Sequence, residues 1–168
     1  MPDAIRIRTA TPDDAAGIVA VLNPIIAART YTVFDQPFTA DAEREYIARF
    51  PARGVFHVAV DAADGRILGL QNLEPIAAYT RAMDHVASCG TYVDLNRRRQ
   101  GIASRLFEAS LAAAREKGYE KIFTFVPADN PPALHAYRRQ GFVVIGTARR
   151  HACIDGKYID ENLIELLL

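Results

Sequence analysis

The chain has 168 residues, 50% of them hydrophobic and 24% charged. That length serves one domain, here residues 1–168, and buries enough surface to fold without disulfides or metals, while the composition excludes a disordered or collagen-like polymer. Twenty Lys plus Arg balance twenty Asp plus Glu, so no whole-molecule field gathers a polyanion and nucleic acid is not an expected partner.

Met1 to Ala10 alternates apolar residues with Arg6 and Arg8, without the continuous apolar stretch of a signal peptide, and reads as a first strand. Thr11-Pro12-Asp13-Asp14 then opens a helix with a cap, a proline suited to the first turn and two acids against the positive helix end. Ile18, Leu22 and Ile25 recur at helical spacing, and Pro24 is expected to kink or divide the helix. The apolar stretch Ala15 to Ala28, broken by Asn23 and Pro24, is far shorter than the roughly 20 residues a membrane span needs. A cytoplasmic protein without a membrane role is the expectation. Cys89 and Cys153 have no CxxC spacing and read as reduced and structural.

Arg29 to Phe38 is aromatic and bounded by Pro37, a loop whose Tyr31 and Phe34 either line a substrate entrance or plug the core. Thr39 caps a second helix with Ala42, Tyr46, Ile47 and Phe50 on one face. Val55 to Val60 and Ile67 to Leu73 form a hairpin around Asp61 to Gly65. Val86 to Leu95 is a longer strand, Ile102, Leu106, Ala109 and Ala113 mark a helix ended by Gly118, and Ile122 to Val126 reads as a strand buried on both faces. Pro131 starts a short helix, and Val143 to Ala148 and Ile159 to Leu168 close the chain as strands. The strand–helix–strand unit from 86 to 126 predicts a parallel, right-handed connection.

The stretch from Thr91 to Ser104 carries a strand into a helix through Arg97-Arg98-Arg99-Gln100-Gly101. Four backbone N–H groups at a helix start have no internal partner, and a glycine there admits a phosphate close to the backbone. Neither GxGxxG nor GxxxxGK[ST] is present. A solvated basic turn is the other reading of such a run.

The pattern Arg98-x-x-Gly101-x-Ala103 after a strand resembles the acyl-coenzyme A pyrophosphate signature of the GNAT N-acetyltransferases. Downstream, Asn130, Tyr137 and Gly141-Phe142 resemble the same superfamily's second signature. Asn23, the aromatic loop Tyr31 to Pro37 and the closing Gly156, Asp160 and Glu165 are similar to its phosphinothricin acetyltransferase-like group.

The resemblance implies an α/β fold with a mixed, mostly antiparallel sheet of six to seven strands, a splayed parallel pair formed by the fourth and fifth strands, and four flanking helices. It implies acetyl-CoA as acyl donor and no metal. It also implies an acetyl group passed directly to the amine of a small, amino-acid-like molecule. A peptide N-terminal acetyltransferase and a non-catalytic acyl-CoA-binding module are the alternatives. By the same resemblance, backbone groups of Tyr92 and Val93 pair with pantetheine, and Arg98, Arg99, Gln100, Gly101, Ile102, Ala103 and Ser104 hold the pyrophosphate. Asn130 contacts the pantetheine or thioester region, although Asn before Pro131 is equally a helix cap. Tyr137 protonates the departing thiolate; a core aromatic is its other reading.

Direct transfer requires removal of a proton from the acceptor ammonium. The related group commonly carries a Glu where this chain has Ser88. A water held by Ser88, a neighbour such as His85, Asp84 or Glu74, or an amine that arrives neutral remain as alternatives. Ile154-Asp155 also replaces a basic residue that precedes the glycine in relatives acetylating acidic amino acids, which argues against an acidic acceptor. Leu166-Leu167-Leu168 either pairs across a homodimer or completes the chain's own sheet.

Overall fold

The structure, a computed structural model, describes residues 4–168. The expectation for Met1 to Asp3 lies outside the described residues. β1 (Ile5–Thr9) leads through a 3₁₀ turn (Pro12–Asp14) into α1 (Ala15–Ala27), and α2 (Ala40–Ala48) follows the aromatic loop. Next come β2 (Val55–Asp61), β3 (Ile67–Pro75), β4 (Val86–Val93), a 3₁₀ turn (Leu95–Arg97) and α3 (Ile102–Glu116). β5 (Lys121–Pro127), α4 (Pro131–Arg138), β6 (Val143–Ile154) and β7 (Lys157–Leu167) complete the chain. The predicted order of strands and helices therefore holds, and the fold is the mixed α/β one expected.

Seven strands form one sheet in the order β1-β2-β3-β4-β5-β7-β6. Every ladder is antiparallel except β4–β5, which is parallel and confined to Val86 opposite Lys121 and Ala87 opposite Ile122. Beyond Ala87 the two strands separate, leaving a gap in the middle of the sheet.

Alternation along the strands sorts side chains to two faces. Phe56, Val58 and Leu70 pack with α1 residues Ile18, Leu22 and Ile25, while Leu73, Ala87 and Cys89 pack with Phe107 and Leu111 of α3 and Tyr137 of α4. Each fully buried large side chain of these clusters contributes about 2 kcal/mol of transfer free energy. Gly69 is required at its position, because a Cβ there would stand 2.8 Å from the Tyr92 carbonyl oxygen of the neighbouring strand.

Several expectations are corrected. Pro24 does not divide α1: the missing donor falls in the last turns, and the buried face of Val21, Leu22, Ile25 and Ile26 continues past it. In α2 the buried positions are Glu43 and Ile47, with Tyr46 and Phe50 half-buried, whereas Ala42 is exposed. β5 is not buried on both faces: Phe125 is 41% exposed and lines the second of two cavities beside the gap. β4 ends at Val93, Leu95 belonging to the 3₁₀ turn, and β6 extends to Ile154. β7, the C-terminal strand, lies between β5 and β6 and pairs along both edges within the chain. The two-residue turn before it places Asp155 and Gly156 at φ 50° and 78°, the type I′ geometry that a DG pair supplies. Both cysteines are free, Cys89 buried and Cys153 exposed.

Candidate active site

Two cavities meet at the gap. One, about 680 Å³, is lined by Tyr92 and Val93 of β4, by Arg98, Arg99 and Gly101 to Ser104, by Asn130 just before α4 and by Tyr137 within it. The second, about 630 Å³, is lined by Phe34, Asn72, Glu74, Ser88, Phe123, Phe125 and Glu161 among others. Tyr31, Thr91, Tyr92, Asn130, Ala133 and Tyr137 line both.

The first cavity has the makings of an anion site. Asp94 accepts from the Asn96 N–H at 2.9 Å and starts the 3₁₀ turn that ends in Arg97. Arg97 itself pairs with Asp61 at 3.1 Å and serves the fold. Gly101 adopts φ 77°, a conformation costly for other residues, and a Cβ placed there would touch nothing within 4 Å, so the space before the helix is open. The first intrahelical bond runs from Arg105 N–H to the Gly101 carbonyl, and no side chain caps α3. Its opening amides are therefore available to a phosphate, with Arg98 and Arg99 beside them. Gln100 does not line the cavity. The Arg98 guanidinium lies 3.9 Å above the Tyr31 ring and links the basic loop to the aromatic loop.

At the junction, Tyr137 is buried and its ring packs against Phe107 and Phe142 at 5.2 and 5.0 Å. Its hydroxyl donates to Thr91 Oγ1 at 3.2 Å, and Thr91 Oγ1 also accepts from Gln71 Nε2 at 2.8 Å. The ring thus belongs to the core, while the residue also lines both cavities. Burial pushes the Tyr137 phenol well above its usual range, with Cys89 adding to the shift, so the group stays protonated. The Cys89 thiol, 4.0 Å from that hydroxyl, is pushed up to about 12 by burial and is no thiolate nucleophile at neutral pH.

Asn130 begins α4, as its place before Pro131 allows: Oδ1 accepts from the Ala133 N–H at 3.3 Å and Nδ2 donates to the Tyr31 carbonyl at 3.4 Å. Asn23 clasps the other end of the aromatic loop, exchanging bonds of 3.0 and 2.9 Å with the Phe38 backbone. The loop's Phe34 stacks on Tyr92 at 5.8 Å.

Ser88 and Glu74 are directly opposed partners on β4 and β3, so both side chains stand on the same face and both line the second cavity. The Glu74 carboxylate accepts from the Tyr46 hydroxyl and, at 3.3 Å, from Asn72 Nδ2, which also donates to the Tyr46 oxygen at 2.8 Å. Burial and Glu74 together hold the Tyr46 phenol protonated. Asp84 and His85 line neither cavity: Asp84 pairs with Arg53 and Arg81 at 3.6 Å each, and His85 is exposed. Thr91, Gln71 and Glu161 escaped the sequence reading, since only strand register places them at the site.

The acetyltransferase (GNAT) family profile matches residues 25–142. Mycothiol acetyltransferase of Saccharomonospora viridis is 28% identical over 90% of the chain, which spans only 50% of that relative's length. L-methionine sulfoximine/L-methionine sulfone acetyltransferase of Pseudomonas paraeruginosa is 25% identical over 96% of the chain and 94% of its own length. A phosphinothricin acetyltransferase of Sinorhizobium meliloti, solved with acetyl-CoA, superimposes with a TM-score of 0.89 at 16% identity over 98% of this chain and 89% of that one. With two thirds of its length matched by one profile and its open β4–β5 pair built as above, the chain belongs to the acetyltransferase (GNAT) family.

Proposed function

We propose that the chain is an acetyl-CoA-dependent N-acetyltransferase acting on the amine of a small molecule, its relatives being named for amino acids and similar compounds. The observation that carries this reading is the meeting of an anion-binding cavity and a second, aromatic cavity at the buried hydroxyl of Tyr137. The opening amides of α3, with Arg98 and Arg99, suit the pyrophosphate of coenzyme A, and the edge of β4 beyond Cys89, whose carbonyl accepts from Thr124 Oγ1 at 2.7 Å, suits an extended arm bearing amides.

Acetyl-CoA, when bound, supplies a thioester whose acetyl carbon bonds to the amine nitrogen as its carbon–sulfur bond breaks. The chain's own residues handle the protons. Glu74 takes one from the acceptor ammonium, held for the purpose by Tyr46 and Asn72, while Ser88 stands beside it. Tyr137 gives its proton to the departing sulfur and is restored by the second proton of the amine. Thr91, fixed by Gln71, orients that hydroxyl.

Calorimetric titration with acetyl-CoA and desulfo-CoA tests the reading, with Gly101→Glu as the control. Micromolar binding lost in the variant is expected. No binding to the unmodified chain overturns the proposal.

A further inference from the structure

The acceptor cavity has a charge pattern of its own. Among the described residues lining it, the only formally charged side chains are two carboxylates, Glu74 at the β3–β4 end and Glu161 on β7; no Lys or Arg lines it. Glu161 is 95% buried, with 5% of its surface exposed, yet its carboxylate accepts no hydrogen bond from the described residues. Its ion-pair partner is His151, whose Nε2 stands at 3.9 Å, beyond hydrogen-bond reach. A buried carboxylate facing a cavity without a donor of its own is incomplete, since such groups are held in place by paired donors or cations. Burial pushes this carboxyl above its usual range, with His151 opposing the shift. Between the two acids the walls are aromatic: Phe34, Phe123 and Phe125, the last two edge to face at 5.3 Å.

We infer that the acceptor is a diamine-type dication with no free carboxylate, one ammonium presented to Glu74 and the other paired with Glu161. This rests on the acetyltransferase reading and narrows its acceptor. Glu74 receives the reacting nitrogen; Glu161 completes its coordination with the second cation; the aromatic walls accommodate the methylenes and attract the charges. A free carboxylate beside either ammonium, as on the α-carbon of lysine, would be forced toward Glu74 or Glu161, with no Lys or Arg lining the cavity to meet it. The named substrate of the Pseudomonas relative, L-methionine sulfoximine, carries such a group.

Thiol release from acetyl-CoA is measured at one pH for lysine, lysinamide, cadaverine and pentylamine. Lysinamide and cadaverine are expected to exceed lysine in kcat/KM by at least about 100-fold, the scale of one uncompensated like-charge contact. Cadaverine is expected to exceed pentylamine, and Glu161→Gln to bring the diamine down to the monoamine. Lysine turned over as well as lysinamide, or a cadaverine preference that survives Glu161→Gln, overturns the inference and leaves the acetyltransferase reading standing. No thiol release with any of the four or with L-methionine sulfone, together with no binding of acetyl-CoA, overturns both.

Discussion

The hydroxyl of Tyr137 donates to Thr91 Oγ1 at 3.2 Å across the mouth of the β4–β5 gap, and both residues line both cavities. A proton kept at that point serves a leaving sulfur only if the phenol is neutral, which its burial ensures. Tyr137→Phe retains the ring contacts with Phe107 and Phe142. It is expected to lower kcat about 100-fold while leaving acetyl-CoA affinity within a few fold. Steady-state rates paired with calorimetry check this, and an unchanged kcat removes Tyr137 from the chemistry.

Gly101 combines a left-handed backbone with open space in front of α3. Gly101→Ala meets no neighbour, so its cost is the conformational one, about 1 kcal/mol. The expected consequence is a melting temperature lower by roughly 2–4 °C. Gly101→Glu adds a carboxylate where the phosphate is to sit and should abolish cofactor binding with a similar change in melting temperature. Comparing the two separates backbone strain from blockage of the site.

Glu74→Gln keeps the acceptor for Tyr46 and Asn72 but cannot take a proton. Near neutral pH it is expected to lower kcat roughly 100-fold. The deficit should shrink as pH approaches the pKa of a primary alkylamine, about 10, because the acceptor then arrives neutral. Ser88→Ala is expected to change kcat only a few fold. A pH–rate profile for each variant is the measurement, and a deficit independent of pH contradicts a proton-accepting role.

Two carboxylates respond to pH with opposite signs. Asp14 accepts two bonds of 2.7 Å from Arg8 and one of 2.8 Å from the Thr11 N–H, and these hold its carboxyl below the usual range against the cost of burial. A folded pKa below the unfolded value of about 3.9 means that this contribution is present above that pH and lost as pH falls through the folded value. Asp14→Asn should therefore destabilise by about 2 kcal/mol at pH 7 and progressively less toward pH 2. Glu43 of α2 is 5% exposed and raised by burial, so its ionisation opposes folding as pH rises through the unfolded value of about 4.3. Glu43→Gln is expected to stabilise the protein at pH 7 and to leave it unaffected at pH 3. Thermal unfolding at both pH values tests the pair.

What the amino-acid sequence determined by itself is the local chemistry. The spacing of Ile18, Leu22 and Ile25, the Thr39 cap, the DG turn at Asp155 and the strand–basic-loop–helix passage through Gly101 each act within a few residues, and the fold contains each of them. The basic loop before α3 belongs to this class because a helix start carries its free amides wherever it is placed.

Tertiary structure decided the rest. The burial of Glu43 in place of Ala42, and the exposure of Phe125, follow from which neighbours cover α2 and β5. The C-terminal strand's place inside the sheet follows from the pairing of β7 with both β5 and β6. The second cavity depends on the same kind of relation: Glu74 meets Ser88 through the β3–β4 register, and Glu161 reaches the cavity from the far side of β5. Such contacts join residues distant in the chain, and their free energy is set by the packing of whole strands. No short stretch of sequence carries that information.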